Sequence, residues 1–256
     1  KYGYLGHSLG SSLAMEFDYI IIHESAHEWW GNNVTTNDIA DMWIHEGFAT
    51  YAEALYIEYR FGYEYYLQYI NDEKTRVNND QPIIGKYGVN NEGSGDMYPK
   101  GALLLHTIRG MIGNDVLFFS ILKGIQLDFG HKCVNTKDIE KYFSKKSGLD
   151  LTPVFDLYLR STLIPVLKVN CYKDFLDYKA DYIFELKDGR NGDLNNGGNF
   201  VGFSMAVKVR TQKDKWEYIY PIAGRWQTLN LKNFNPEFFK VATDLVDIES
   251  VVNLPD

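Results

Sequence analysis

Two cysteines, Cys133 and Cys171, are too few for a disulfide-stapled scaffold, and lying 38 positions apart they read as two free thiols. Basic residues are in the minority. The 26 Lys and Arg against 34 Asp and Glu leave a formal net charge of -8. No Lys/Arg cluster with interleaved aromatics offsets that balance, so nucleic acid is not expected as a partner. No apolar run reaches 18 residues, so no transmembrane segment is expected. Internal repeats and a signal-peptide pattern at the N-terminus are also lacking. What the chain does have is 45% hydrophobic and 15% aromatic residues over 256 positions, enough for a packed core in one or two domains.

Chemistry concentrates in one short stretch. His23-Glu24-Ser25-Ala26-His27 is a His-Glu-x-x-His pattern, and Glu46 follows after eighteen intervening residues. Residues four apart lie on one face of an α-helix, so His23 and His27 can offer two imidazole nitrogens to one ion. Catalytic zinc sites commonly take three protein ligands of this kind and leave a position open. Glu24 is rotated by roughly 100° from His23 on a 3.6-residue helix, which puts it beside the open position, where it can take a proton from an activated water. A lone histidine on a helix is commonly structural. Two His and a Glu at ligand spacing after the apolar lead-in Ile20-Ile21-Ile22 would be costly to bury without a shared partner. Helix is expected from about residue 17, with Gly31 as its stop after Trp29-Trp30. A second helix is expected from Ile39 to about Arg60, capped by Asn37-Asp38 and carrying Glu46 as third ligand.

The run from His23 through Glu28-Trp29-Trp30-Gly31-Asn32 to Val34-Thr35, with Trp43-Ile44-His45-Glu46-Gly47-Phe48-Ala49 downstream, resembles the zinc aminopeptidases of the aminopeptidase N family, within the gluzincins. Trp30 stands where Phe is usual and His45 where Asn is usual. Asp96-Met97-Tyr98-Pro99-Lys100-Gly101-Ala102 is similar to the family's Tyr-x-Lys-Gly segment, which implies that the Tyr98 hydroxyl supports the oxyanion of a tetrahedral intermediate. The resemblance also implies one zinc ion per chain, held by His23, His27 and Glu46, with Glu24 as general base and peptides as substrates. Arg109 and the run Asp156 to Val166 read as scaffold; no motif names substrate-binding residues.

Family members carry a Gly-x-Met-Glu segment upstream of the zinc helix, whose glutamate holds the substrate's amino group, and before it a large β domain. Only 22 residues precede His23, and Glu16 in Ala14-Met15-Glu16-Phe17 is too close to the helix to match that glutamate. The expectation is therefore a fragment, with an N-terminal domain of the same parent chain missing, that is weakly active or silent alone. An exopeptidase is the leading reading; a catalytically silent zinc scaffold and a thermolysin-like endopeptidase are the alternatives.

The fold class expected is α+β: a mainly helical, thermolysin-like catalytic portion over residues 1–165, then a small all-β, sandwich-like domain over 166–256. Helices are expected over 62–76, from Pro99 to about Ile112, from Asn114-Asp115 to about Leu127, after an Asn135 cap to Gly148, and from Pro153 to Arg160. A loop over 77–97, with Pro82 and four glycines, leads to Tyr98 and would line the cleft. Alternation marks strands at 166–172, 203–210 and 216–220, with turn-rich breakers at 188–193 and 195–199.

Overall fold

Helices dominate to Arg160, with one short strand pair among them, and the long strands begin at Leu163. The computed structural model describes residues 17–174, 177–188, 194–195, 200, 202–229 and 234–254. Ala14-Met15-Glu16 and most of the two turn-rich breakers lie outside them. The chain divides into two compact units, residues 1–161 and 162–256.

In the first unit, α1 (Tyr19–Ala26) starts where the Asp18 carboxylate accepts from the Ile21 N–H. It stops sooner than the apolar lead-in suggests. Asn32, Asn33 and Val34 donate to the carbonyls five residues back, at His27, Glu28 and Trp29, and Gly31 sits at φ +144°. These bonds unwind the chain into β1 (Val34–Thr36) and leave His27 as the helix cap instead of an interior residue. A 3-10 turn, Ile39–Asp41, is capped by the Asp38 side chain at 2.9 Å from the Ala40 N–H. Then α2 runs from Trp43 to Phe61, free of proline. Next come α3 (Tyr63–Arg76), a loop ending in a 3-10 turn at Gly95–Met97, α4 (Pro99–Ile112) and α5 (Asp115–Asp128). The short β2 (Lys132–Val134) pairs in parallel with β1. After it, α6 (Thr136–Ser147) opens with a full capping box between Asn135 and Asp138, and α7 (Thr152–Arg160) ends the unit.

The middle of this unit is α4, buried continuously from Pro99 to Arg109. Its polar side chains are each matched. Arg109 makes charged hydrogen bonds to both Glu58 and Asp115, and His106 Nδ1 lies 2.6 Å from the Tyr66 hydroxyl. An aromatic chain runs alongside: Trp30 stacks on Phe48 at 4.0 Å between ring centroids, and Phe48 continues to Trp43 and Phe143. Trp30, the departure from the usual Phe, is a core residue.

One crossing is closer than the rest. Gly47 on α2 faces Gly101 on α4, so that a Cβ built on Gly101 would lie 2.8 Å from the Gly47 Cα, and one on Gly47 would lie 3.0 Å from the Gly101 Cα. The contact is backbone on backbone, which no rotamer change relieves. It fixes α2 directly beside Glu46 and α4 three residues beyond Tyr98.

The second unit has strands and no α-helix among its described residues, with 3-10 conformation at Phe200 and over Pro236–Phe238. The long pair β3 (Leu163–Asp174) and β4 (Asp177–Asp188) is antiparallel, in register from Leu163 opposite Asp188 to Asp174 opposite Asp177. On β4 pair β5 (Leu194–Asn195) and β8 (Gln227–Leu229); on β3 lies β10 (Glu249–Asn253), in parallel. A separate sheet has β6 (Val207–Gln212) between β7 (Lys215–Ile219) and β9 (Lys240–Val241). The strand expected from residue 203 begins only at Val207, because Gly202, at φ +85°, and a bridge between Ser204 and Ile222 occupy the lead-in.

Gly101→Ala is expected to destabilise the protein. The better helix propensity of Ala is worth up to about 1 kcal/mol, and overpacking costs about 1–3 kcal/mol. Denaturant unfolding should therefore show a net loss, while Gly95→Ala, with nothing within 4 Å of the added Cβ, should stay close to wild type.

Candidate metal centre

The two histidines and the glutamate expected as ligands come together. Their three donor atoms lie within 4.8 Å of one another. His23 Nε2 is 3.0 Å and His27 Nε2 3.4 Å from the same oxygen, Glu46 Oε2. Each imidazole is held from behind. His23 Nδ1 lies 2.8 Å from Glu53 Oε1, and His27 Nδ1 lies 3.0 Å from the Trp30 carbonyl. Both Nδ1 atoms therefore donate away from the centre and both Nε2 atoms face it.

Glu53 escaped the sequence reading although a signal for it was present. It lies seven residues after Glu46, two helical turns along the same stripe of α2, with Thr50 between them. All three line one cleft of about 390 Å³, together with Tyr19, Ile20, His23, Glu24, His27, Arg76 and Tyr98. Glu53 is nearly inaccessible, and its other oxygen accepts the Tyr69 hydroxyl. That tyrosine, on α3, and Arg76 at its end had no motif to mark them.

The electrostatics suit a cation. Burial lowers the His23 pKa, yet hydrogen bonds and charge from Glu46 and Glu53 outweigh it and push it up to about 9. Burial raises that of Glu46, and its bonds to both histidines pull it down to about 2. Protons are thus held tightly at the point where two imidazole nitrogens and a carboxylate converge, a donor set of the kind that could hold a borderline-soft divalent ion in their place.

Glu24 is exposed on the cleft wall. Tyr98 enters from the start of α4, its ring stacked on that of His23 at 5.9 Å between centroids. Burial, then the charge of Glu46, raises the Tyr98 pKa, so the phenol keeps its proton as a donor. Of the preceding loop, residues 77–97, none lines this cleft; Tyr98 does. His45 turns elsewhere and accepts the Thr36 N–H at 3.0 Å, which pins α2 to β1. Cys133 is exposed, Cys171 is buried, and both are free thiols.

Residues 10–158 match the Peptidase family M1 domain. The chain belongs to peptidase family M1. Over 237 residues it is 27% identical to the alanine/arginine aminopeptidase of Saccharomyces cerevisiae, covering 88% of this chain and 26% of that protein. The M1 zinc metallopeptidase from Deinococcus radiodurans superposes with a TM-score of 0.50 at 26% identity, over 58% of this chain and 34% of that one. Aminopeptidase A of Legionella pneumophila, solved in complex with aspartic acid, shares the fold, with a TM-score of 0.67 at 15% identity over 93% of this chain and 27% of that one. The chain thus spans about a quarter of the length of the yeast relative. M1 membership accords with the α+β arrangement of helices and separate sheets.

The paired protons set a pH dependence for the metal-free protein. The raised His23 pKa makes a contribution to stability that is complete below its ordinary 6.5 and lost as pH rises through about 9. The lowered Glu46 pKa makes one that is complete above its ordinary 4.5 and lost as pH falls through about 2. The melting temperature of metal-free protein should therefore fall as pH rises from 6.5 towards 9, and His23→Ala should flatten that limb. A limb of equal slope in the variant would contradict the assignment.

Proposed function

We propose that this protein is a zinc-dependent aminopeptidase, with one zinc ion per chain held by His23, His27 and Glu46. The observation that carries the reading is the convergence of those three donors on a cleft that also presents Glu24 and Tyr98. Family membership supports it, as do relatives named as aminopeptidases and a neighbour named as a zinc metallopeptidase. In this reading residues 1–165 are part of the catalytic domain and residues 166–256 a separate β domain, within a parent chain that supplies an N-terminal domain.

Zinc bound there would polarise the scissile carbonyl and lower the pKa of the attacking water. The protein's own groups do the rest. Glu24 takes the proton of the attacking water and delivers it to the leaving amine. Tyr98, protonated and aimed into the cleft, donates to the oxygen that becomes negative, an interaction stronger in the transition state than in the ground state. Glu53 and the Trp30 carbonyl hold the two imidazoles by their Nδ1–H groups, so that each Nε2 lone pair faces the centre without reorganisation.

In the full-length protein, Glu24→Gln should lower kcat by about 100- to 10,000-fold, the usual weight of a general base, while zinc content stays at one per chain. Turnover of alanine and leucine arylamides near the wild-type rate would contradict the role of Glu24. Cleavage of N-acetylated peptides as fast as free ones would contradict the exopeptidase reading.

A further inference from the structure

The cleft is lined by charge of mostly one sign. Besides the two histidines, its ionisable groups are Glu24, Glu46, Glu53, the phenols of Tyr19 and Tyr98, and a single arginine, Arg76. Arg76 is the last residue of α3, and its side chain is 43% exposed, enough to meet a ligand. Among the described residues it has one hydrogen-bonded partner: Nη1 donates to Glu73 Oε1 at 2.6 Å. Glu73 is fully buried beneath it. A guanidinium carries five N–H donors in a flat fork, so anchoring through one amino group leaves Nη2 and Nε to bind a second group. Burial pushes the Glu73 carboxyl up to about 7, so near neutral pH it cancels the Arg76 charge only in part.

The ion centre itself uses the negative charge of Glu46, and Glu53 is committed to His23 and Tyr69. Neither is available to repel or bind a substrate as a free carboxylate. Apart from the metal position, a carboxylate entering the cleft meets one side-chain cation able to receive it in bidentate fashion, Arg76, and one exposed carboxylate, Glu24, that opposes it.

We propose that Arg76 is a specificity-determining residue that binds a carboxylate of the peptide substrate. The proposal rests on the aminopeptidase reading above and deepens it. The carboxylate has two possible sources with the same chemistry: the side chain of an acidic residue at the peptide's amino end, or the terminal carboxylate of a very short peptide.

Binding, not turnover, tests it. The full-length protein carrying Glu24→Gln, loaded with zinc, is titrated calorimetrically with three dipeptides: alanyl-alanine amide, glutamyl-alanine amide, and alanyl-alanine with its free carboxylate. At least one carboxylate peptide should bind about tenfold or more tightly than the neutral amide, the weight of a charge-assisted hydrogen bond. The one that gains identifies the source. Adding Arg76→Gln should bring its Kd to that of the neutral peptide and leave the neutral peptide unchanged, while Arg76→Lys should keep part of the gain. Because Arg76→Gln leaves Glu73 without its partner, Glu73→Gln with Arg76→Gln serves as a second variant and should show the same loss. A carboxylate advantage that survives both variants, or no advantage in the parent protein, would overturn the proposal while leaving the aminopeptidase reading intact. Failure of every peptide to bind, the neutral amide included, would overturn the aminopeptidase reading and this proposal with it.

Discussion

His23 holds two carboxylates at once, and the rest of the site is arranged around that fact. Glu46 lies at its Nε2 and Glu53 at its Nδ1, both on one stripe of α2, so a single imidazole ties α1 to two successive turns of the neighbouring helix. Burying two acids beside one base is favourable only if a positive charge sits between them. Protons supply that charge in the metal-free protein; in the proposed reading a divalent cation would supply it instead, with the His27 Nε2, 3.4 Å from the same Glu46 oxygen, as a second nitrogen donor.

The scaffold's contribution is precision at long sequence range. Glu46 and Tyr98 are separated in the chain by the rest of α2, all of α3 and a long loop, yet each lies within a few residues of the Gly47–Gly101 contact, where two helix backbones touch. At the other end of the site, Trp30 stacks on Phe48, and its carbonyl receives the His27 Nδ1–H. The same residue that fills the aromatic core thereby orients the His27 imidazole. Packing and site geometry are coupled through backbone positions.

Local signals in the sequence carried far. Ligand spacing, the Asn135 cap with Asp138, Pro99 at a helix start and Gly148 at a helix end are encoded in a few adjacent residues, and the corresponding elements form where they point. Legibility fell where structure depends on partners distant in sequence. The i to i−5 bonds that end α1 at Ala26 hand the chain to β1, which needs β2 almost a hundred residues later. Strand β4 is dense in charge, which masks the alternation of its buried Ala180, Tyr182, Phe184 and Leu186; the strand is held by its backbone ladder to β3, and the pairs Lys168–Glu185, Lys179–Asp174 and Lys187–Glu249 accommodate its charges. Glu53 was readable in principle, two turns from Glu46. Arg76 was not, since its place in the cleft comes from the packing of α3 on α2.

The central claim is that one ion is bound by both imidazoles and the Glu46 carboxylate. X-ray absorption at the zinc edge of the purified, zinc-loaded protein examines that arrangement without reference to activity. The account predicts two nitrogen scatterers of imidazole type at about 2.0–2.1 Å with light oxygen donors at about 2.0–2.2 Å, and no sulfur. In His23→Ala or His27→Ala the imidazole signal should halve or the metal should be lost. A sulfur shell at about 2.3 Å, or an unchanged two-imidazole signal in either variant, would contradict it.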